Sequence, residues 1–384
     1  MNFEFSDEQK ALGDQLRRFL SDKSSPAAVR RILDGPEPFD RELWQNLADM
    51  GYLSVVIPEQ YGGLGLSYLE LCVIAEELGR SLAPTPFSSS VYLATEFLLV
   101  AGSEAQRLAW LPRLASGQSI GTFAVAELAG AVTPGTIRLS ATRGKLTGTK
   151  IAVPDGDVAD FAVVAARTGE AEDSISLFLV DLNAPGIDRV AQKGIDPTRS
   201  QARYAFSDVA AEPLGVVGQG LSIMEIVLDR AAILTAFEQV GGGDRALEMA
   251  RDYALQRMAF GRPIGSFQAI KHMLADMYVS STLARSNAYY GAWALSTDSA
   301  ELPVAAATAR VSATEAFQHC AKNNIQIHGG MGFTWAFDCH LYYRRSNLLA
   351  LNLGSLSSWE ERLITRLRTA EAPRFSGRKN SHEL

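Results

Sequence analysis

Between Ile120 and Gly220 the hydrophobic pattern of this chain leaves the helical period, and after Gly220 it returns to it. Apolar residues repeating every three or four positions share one face of a helix, and those repeating every second position share one face of a strand. The chain is therefore ordered helical, β, helical. Its 384 residues exceed one ordinary core, which agrees with two or three packed units. The expected fold class is α+β, with an N-terminal helical domain over 1–118, a central β-barrel or sandwich domain over 119–218, a C-terminal four-helix bundle over 219–370 and a polar tail over 371–384.

Local signals support this division. Ser6 with Gln9, Ser67 with Glu70 and Ser103 with Gln106 have the spacing of capping boxes. Asp40 caps a helix carrying Leu43, Trp44 and Leu47, with Gly51 as its stop, and Gly79 reads as the stop of the helix that opens at Ser67. In the middle third, Gly121–Glu127 is a short apolar run, Ile137–Ala141 and Lys145–Val153 flank an Arg143-Gly144 hairpin signal, and Phe161–Ala166 and Ile175–Val180 are rich in β-formers. Beyond Gly220, long alanine-rich helical stretches break only at Gly261-Arg262-Pro263, Leu302-Pro303 and Gly329-Gly330, which predicts the bundle.

Composition narrows the function. A net charge of -7 with no Lys/Arg-rich run argues against nucleic acid as the main partner. Three cysteines, Cys72, Cys320 and Cys339, without a CxxC read as reduced, mostly buried thiols. No window reaches the length of a membrane span, and the acidic start Met1–Glu8 lacks the apolar region of a signal peptide, so the expectation is a cytoplasmic protein. The end, Ser381-His382-Glu383-Leu384, reads as a frayed polar terminus. Five histidines with no pair at ligand spacing give no metal site.

Two stretches carry candidate chemistry. Tyr253–Gln268 presents Arg257 at a helix end that stops at Phe260-Gly261, followed by Pro263 and Gln268. A guanidinium at such a corner can bind a pyrophosphate bidentately. On residue types alone it reads equally as a surface arginine at a capped helix end. Gln326-Ile327-His328-Gly329-Gly330-Met331-Gly332 places three glycines in four positions, so that backbone N–H groups can approach a ligand. His328 by itself reads as structural.

Together the two stretches resemble the acyl-CoA dehydrogenases, which carry an R-x-x-F-G-x-x-I-x-x-x-Q segment and later a Q-x-x-G-G-x-G segment. Pro58-Glu59 with Tyr61-Gly62-Gly63 resembles an N-terminal loop of that family. The resemblance covers residues 1 to 368 and implies FAD and an acyl-CoA thioester. It implies that Arg257, Phe260, Gln268, Gln326, Gly329 and Gly330 reach the flavin of a neighbouring subunit, and that backbone groups of Ala126 and Val153 face a flavin ring within one subunit. It also implies a homodimer or tetramer, or an assembly with a catalytic paralogue, and an electron-transfer flavoprotein as acceptor.

The sequence departs from the family where the chemistry is done. The family's catalytic glutamate stands in one of two places, which here hold Leu353, before Gly354-Ser355, and Ala231. Neither accepts a proton, and Ala336 follows Trp335 where an acidic residue is common. Asp229, Glu238 and Asp338 are the nearest carboxylates in sequence, and each reads as a helix-surface or capping group. Ala126 replaces a threonine that holds the ring, and Ala152-Val153-Pro154 replaces a Trp-x-Thr pair, while Lys150 and Ala159-Asp160 still match. The implied activity is FAD-dependent α,β-dehydrogenation of an acyl-CoA, in fatty acid or steroid side-chain metabolism, by the chain alone or as the base-less subunit of a mixed assembly. Two other roles stay open: a non-catalytic subunit that completes a partner's flavin site, and a flavin-dependent oxygenase of the same fold.

Overall fold

A computed structural model describes residues 5–371. Met1–Glu4, the terminal Ser381–Leu384 and the polar tail beyond Glu371 lie outside the described residues. The N-terminal part contains α1 (Asp7–Lys23), α2 (Pro26–Asp34), α3 (Arg41–Asp49), α4 (Tyr68–Arg80), a π-helical segment Ser88–Thr95 leading into α5 (Glu96–Ala101), and α6 (Glu104–Ala115). All three capping boxes form, at Ser6, Ser67 and Ser103. Asp40 accepts from the Leu43 N–H at 3.0 Å, and Gly51 follows α3 at φ 80°.

Gly79 is not the stop expected of it. The helix continues to Arg80, and a Cβ at Gly79 would lie 1.8 Å from the Glu238 carbonyl oxygen of the long helix that follows the sheet. At the same crossing a Cβ on Gly241 would lie 1.9 Å from the Glu76 carbonyl oxygen. Glycine is required there for backbone-to-backbone approach, not for its freedom at φ > 0.

The middle part is one mixed eight-stranded sheet: β1 (Gly121–Ala124), β2 (Ser140–Thr142), β3 (Lys145–Pro154), β4 (Phe161–Arg167), β5 (Ile175–Asp181), β6 (Ile187–Gln192), β7 (Gln201–Ala210) and β8 (Glu212–Leu214), in the order β6-β7-β3-β2-β4-β5-β8 with β1 on β4. The expected hairpin joins β2 to β3, with Arg143 at φ 53° and Gly144 at φ 73°, the two positive values of a type I′ turn. Two expected strands are shorter than their apolar runs. β1 ends at Ala124, and Ile137–Leu139 stay outside β2. The cause is Glu127, whose carboxylate accepts from the N–H groups of Arg138 and Leu139 at 2.9 Å and thereby ties the two runs together outside the ladder.

The C-terminal part is helical: α7 (Gly220–Gln256), α8 (Gln268–Ser296), α9 (Leu302–His328), α10 (Cys339–Leu351) and α11 (Leu356–Glu371). α7, α8 and α9 pack on one another through alanines such as Ala250, Ala288 and Ala313, each fully buried. Alanine combines the best helix propensity with the smallest side chain, so these helices lie close. No described helix is long and apolar enough to cross a membrane. The three cysteines are free and buried.

Candidate active site

The two sequence motifs meet at one corner of the helical bundle. α7 ends at Gln256, and Arg257 caps it by donating its N–H to the Tyr253 carbonyl at 2.8 Å. A two-residue turn follows, with Phe260 at φ 54° and Gly261 at φ 79° between paired Ala259 and Arg262. Phe260 is 95% exposed in a left-handed conformation that phenylalanine disfavours. α9 ends at His328, and Gly329 turns away at φ 60°, ψ -140°, a region essentially limited to glycine. The His328 ring stacks on Tyr253 at 4.1 Å and joins the two motifs. Arg257, Gln268, Gln326, Gly329 and Gly330 are exposed, and a Cβ on Gly329 or Gly330 would meet nothing within 4 Å.

The positions expected to hold a base and a flavin ring lie elsewhere, in the interior. Leu353 is half-buried at φ 65°, again a left-handed conformation on a bulky residue, and its carbonyl accepts from the Trp359 indole at 3.1 Å. Ala231 is fully buried. Leu353 lines a cavity of about 20 Å3 with Ser88, Tyr92, Leu93, Pro154, Thr235, Leu349 and Asn352. A second cavity of about 10 Å3 shares Ser88, Pro154 and Asn352 and adds Asp155 and Arg199. Ala126 is half-buried; its carbonyl accepts from Ile151 N–H at 2.8 Å. Val153 is buried and paired with Ala202; the exposed residue of that bulge is Ala152, at φ 49°. Lys150 is fully buried, donates to Glu127 at 2.7 Å and to the Val125 carbonyl at 3.0 Å, and burial pushes its ammonium down to about 8.

None of the three carboxylates nearest in sequence faces the Leu353 cavity free. Asp229 and Glu238 are not the surface groups expected. Both are buried, Asp229 against Arg366 at 2.9 and 3.0 Å and Glu238 against Arg199 at 2.7 Å. Asp338 precedes α10 and pairs with Arg30 at 2.8 Å. Asp155 was not singled out in the sequence. Burial pushes its carboxyl up to about 6, and it accepts from the Ser89 hydroxyl at 2.6 Å. Nothing local marks Arg199, Arg345 or Asp155 as buried, since their partners come from distant segments. Among the described residues no group of His, Cys, Asp and Glu could hold a metal ion.

Residues 6–118 match the family model "Acyl-CoA dehydrogenase, N-terminal domain" and residues 218–358 match "Acyl-CoA dehydrogenase, C-terminal domain". The chain is 34% identical to acyl-CoA dehydrogenase IpdE2 of Mycobacterium tuberculosis over 89% of its own length and 91% of that protein's. It belongs to the acyl-CoA dehydrogenase family. Among solved structures, this acyl-CoA dehydrogenase is similar to the ChsE4–ChsE5 complex of Mycobacterium tuberculosis (TM-score 0.87, 29% identity, 97% of this chain and 100% of that one). It is also similar to a steroid acyl-CoA dehydrogenase, Tcur3481–Tcur3483 (TM-score 0.86, 28% identity, 95% of this chain and 99% of that one).

Acyl-CoA dehydrogenases are FAD-dependent oxidoreductases, and the two parts of this chain fit that cofactor differently. The corner set fits: exposed donors and open glycines leave room for a flavin nucleotide. At the interior positions the hydroxyl donors of the family are replaced, at Ala126 and along Ala152-Val153-Pro154, which leaves only backbone groups of Ala126 and Val153 to face a flavin ring, and neither residue lines the small cavity beside Leu353.

Proposed function

We propose that this acyl-CoA dehydrogenase is the base-less subunit of a mixed cytoplasmic assembly that oxidises an acyl-CoA to its α,β-unsaturated thioester. The observation that carries the reading is the absence of a proton acceptor at both family positions: Leu353 and Ala231 stand there, and the buried carboxylates nearby are held by arginines. FAD, when bound, supplies the hydride acceptor. This chain's contribution is to bind and orient it on a glutamate-bearing partner. In this reading the Arg257 guanidinium and the Gln268 and Gln326 amides hold the nucleotide, and the backbone N–H groups of Gly329 and Gly330 approach it. The exposed, left-handed Phe260 supports an occupant from another chain, because an unpacked phenylalanine in a costly conformation gains its contacts only on assembly. That the similar ChsE4–ChsE5 structure is a complex of two named chains agrees with a mixed assembly, and the Tcur3481–Tcur3483 likeness favours a bulky ring-bearing acyl group. An electron-transfer flavoprotein would take the electrons.

The test is co-expression with a glutamate-bearing acyl-CoA dehydrogenase chain from the same genome. The expected result is a yellow mixed complex whose flavin bleaches anaerobically with acyl-CoA, while this chain alone does not bleach. Rapid bleaching by this chain alone would overturn the reading, and oxygen consumption by its reduced flavin would move it to the oxygenase.

A further inference from the structure

The cavity beside Leu353 is more polar than a hydrocarbon chain requires. Half of its lining residues, Ser88, Tyr92, Thr235 and Asn352, carry a hydroxyl or an amide. Ser88, Tyr92 and Leu93 reach it together because Ser88–Thr95 is a π-helix. Bonding from i to i+5 widens the turn, so residues four and five apart share a face, and such segments are frequent at functional sites.

Tyr92 is the unusual group among them. It is 1% exposed, and its Oη has no hydrogen-bond partner among the described residues. A buried tyrosine hydroxyl ordinarily finds one, and phenylalanine would fill the same space without stranding a donor. Burial first, and then the charge of Glu238, push this hydroxyl well above its ordinary value, so it stays protonated and acts as a donor. Two other lining residues have donors to add. Ser88 Oγ accepts from Arg199 at 2.8 Å and keeps its own O–H to give. Asn352 is held by its backbone, with its N–H on the Leu348 carbonyl at 3.1 Å and its carbonyl on Arg310 at 2.7 Å, which leaves its side-chain amide unspent. A few convergent polar groups in an otherwise apolar site fix the orientation of a small ligand. The cavity, about 20 Å3, has the room of a water-sized group, which is a single oxygen and not a second carbon chain.

We propose that this cavity reads an oxygen on the acyl group, with Tyr92 as the specificity-determining residue. The ligand is an acyl-CoA with a hydroxyl or keto oxygen near its thioester end, and that oxygen accepts from the Tyr92 hydroxyl. Its place on the acyl group follows from Leu353, and the proposal rests on the reading of that residue as the vacated base position, where the family meets the α-carbon. A plain hydrocarbon chain leaves the donors of Ser88, Tyr92 and Asn352 unpaired, and a site of this kind rejects the analogue that lacks the oxygen.

The test uses the full chain with saturating FAD and two probes of nearly equal size, 3-hydroxybutyryl-CoA and butyryl-CoA, in isothermal titration calorimetry. The wild type is expected to bind the hydroxylated thioester at least about ten-fold more tightly, a difference of roughly 1.4 kcal/mol. Tyr92→Phe keeps the shape of the ring. It is expected to lose that preference while its Tm holds or rises, because an unpaired donor leaves the interior. A purely structural hydroxyl gives the reverse, a lower Tm with the preference intact, and that result would overturn the proposal. Equal affinity of the two probes for the wild type, or no binding of either, would overturn it as well. If Tyr92→Phe does not fold, Thr235→Val removes a second cavity hydroxyl at nearly constant shape and decides: a reduced preference supports the proposal, and an unchanged one overturns it. The base-less reading fails separately. Bleaching by the chain alone would overturn that reading and leave the acyl preference standing, whereas equal affinities would overturn only the acyl preference.

Discussion

The His328 ring lies flat against Tyr253, with centroids 4.1 Å apart and planes at 23°, and its Nδ1 pairs with the Asn324 carbonyl at 2.8 Å. This contact ties the end of α9 to the end of α7 and so sets the two ligand-facing motifs side by side. An aromatic pair adds about 0.5–1.5 kcal/mol beyond burial. His328→Ala is expected to lower Tm by several degrees and to weaken flavin retention in the mixed assembly. Burial holds the imidazole below its ordinary 6.5. This depressed group stabilises the fold above that value, and the contribution is lost as pH falls through the folded pKa. Melting of wild type and His328→Phe across pH 4–8 reads it, and an identical pH profile in both would remove His328 from the account.

Arg257→Ala is expected to weaken flavin binding by the mixed assembly without changing the stability of this chain. A charge-assisted hydrogen bond contributes about 1.5–3 kcal/mol, or one to two decades in affinity. Arg257 is exposed, so no buried partner is stranded. Flavin content after gel filtration measures the effect, and unchanged content would refute the assignment.

Gly79→Ala is expected to be severely destabilising, by more than about 3 kcal/mol, because the new Cβ would lie 1.8 Å from the Glu238 backbone oxygen and neither helix can yield alone. Gly330→Ala is the counterpart. Its Cβ meets nothing, so Tm should hold while flavin retention by the assembly falls. Denaturant melts of both variants separate packing from binding.

Leu353→Glu places a carboxylate where the family carries its base, and a positioned base contributes roughly 10²–10⁴-fold. In a chain that holds its flavin, Leu353→Glu is expected to create or raise anaerobic bleaching by acyl-CoA. No gain in a variant that still binds both flavin and thioester would show that this site has left the family's geometry.

Asp155 and Asp229 give an opposite pH signature to His328. Burial raises both carboxyls to about 6 from an ordinary 3.8. A raised group stabilises the fold fully below the unfolded value, and the contribution fades as pH rises through the folded value. Stability should therefore fall between about pH 4 and 6, by up to about 1–3 kcal/mol for each group. Asp155→Asn is expected to flatten that fall, as read by urea midpoints at several pH values.

The sequence by itself determined the elements whose causes are local. A capping box joins residues three apart, and the Arg143-Gly144 turn needs only its two positive φ values, so Ser6, Ser67, Ser103 and the β2–β3 hairpin were legible from neighbours. The order helical, β, helical followed from periodicity, and the family followed from motifs whose residues are near in sequence. Only the tertiary structure decided what depends on distant partners. Gly79 is a crossing point because α7 passes over it. Asp229 is buried because Arg366, 137 residues away, neutralises it, and Glu238 because Arg199 does so from 39 residues away. The cavity beside Leu353 is small because side chains from the π-helical segment, β3, α7 and α10 converge on it. Pairing and volume are properties of chain crossings, and no window of sequence contains both sides of a crossing.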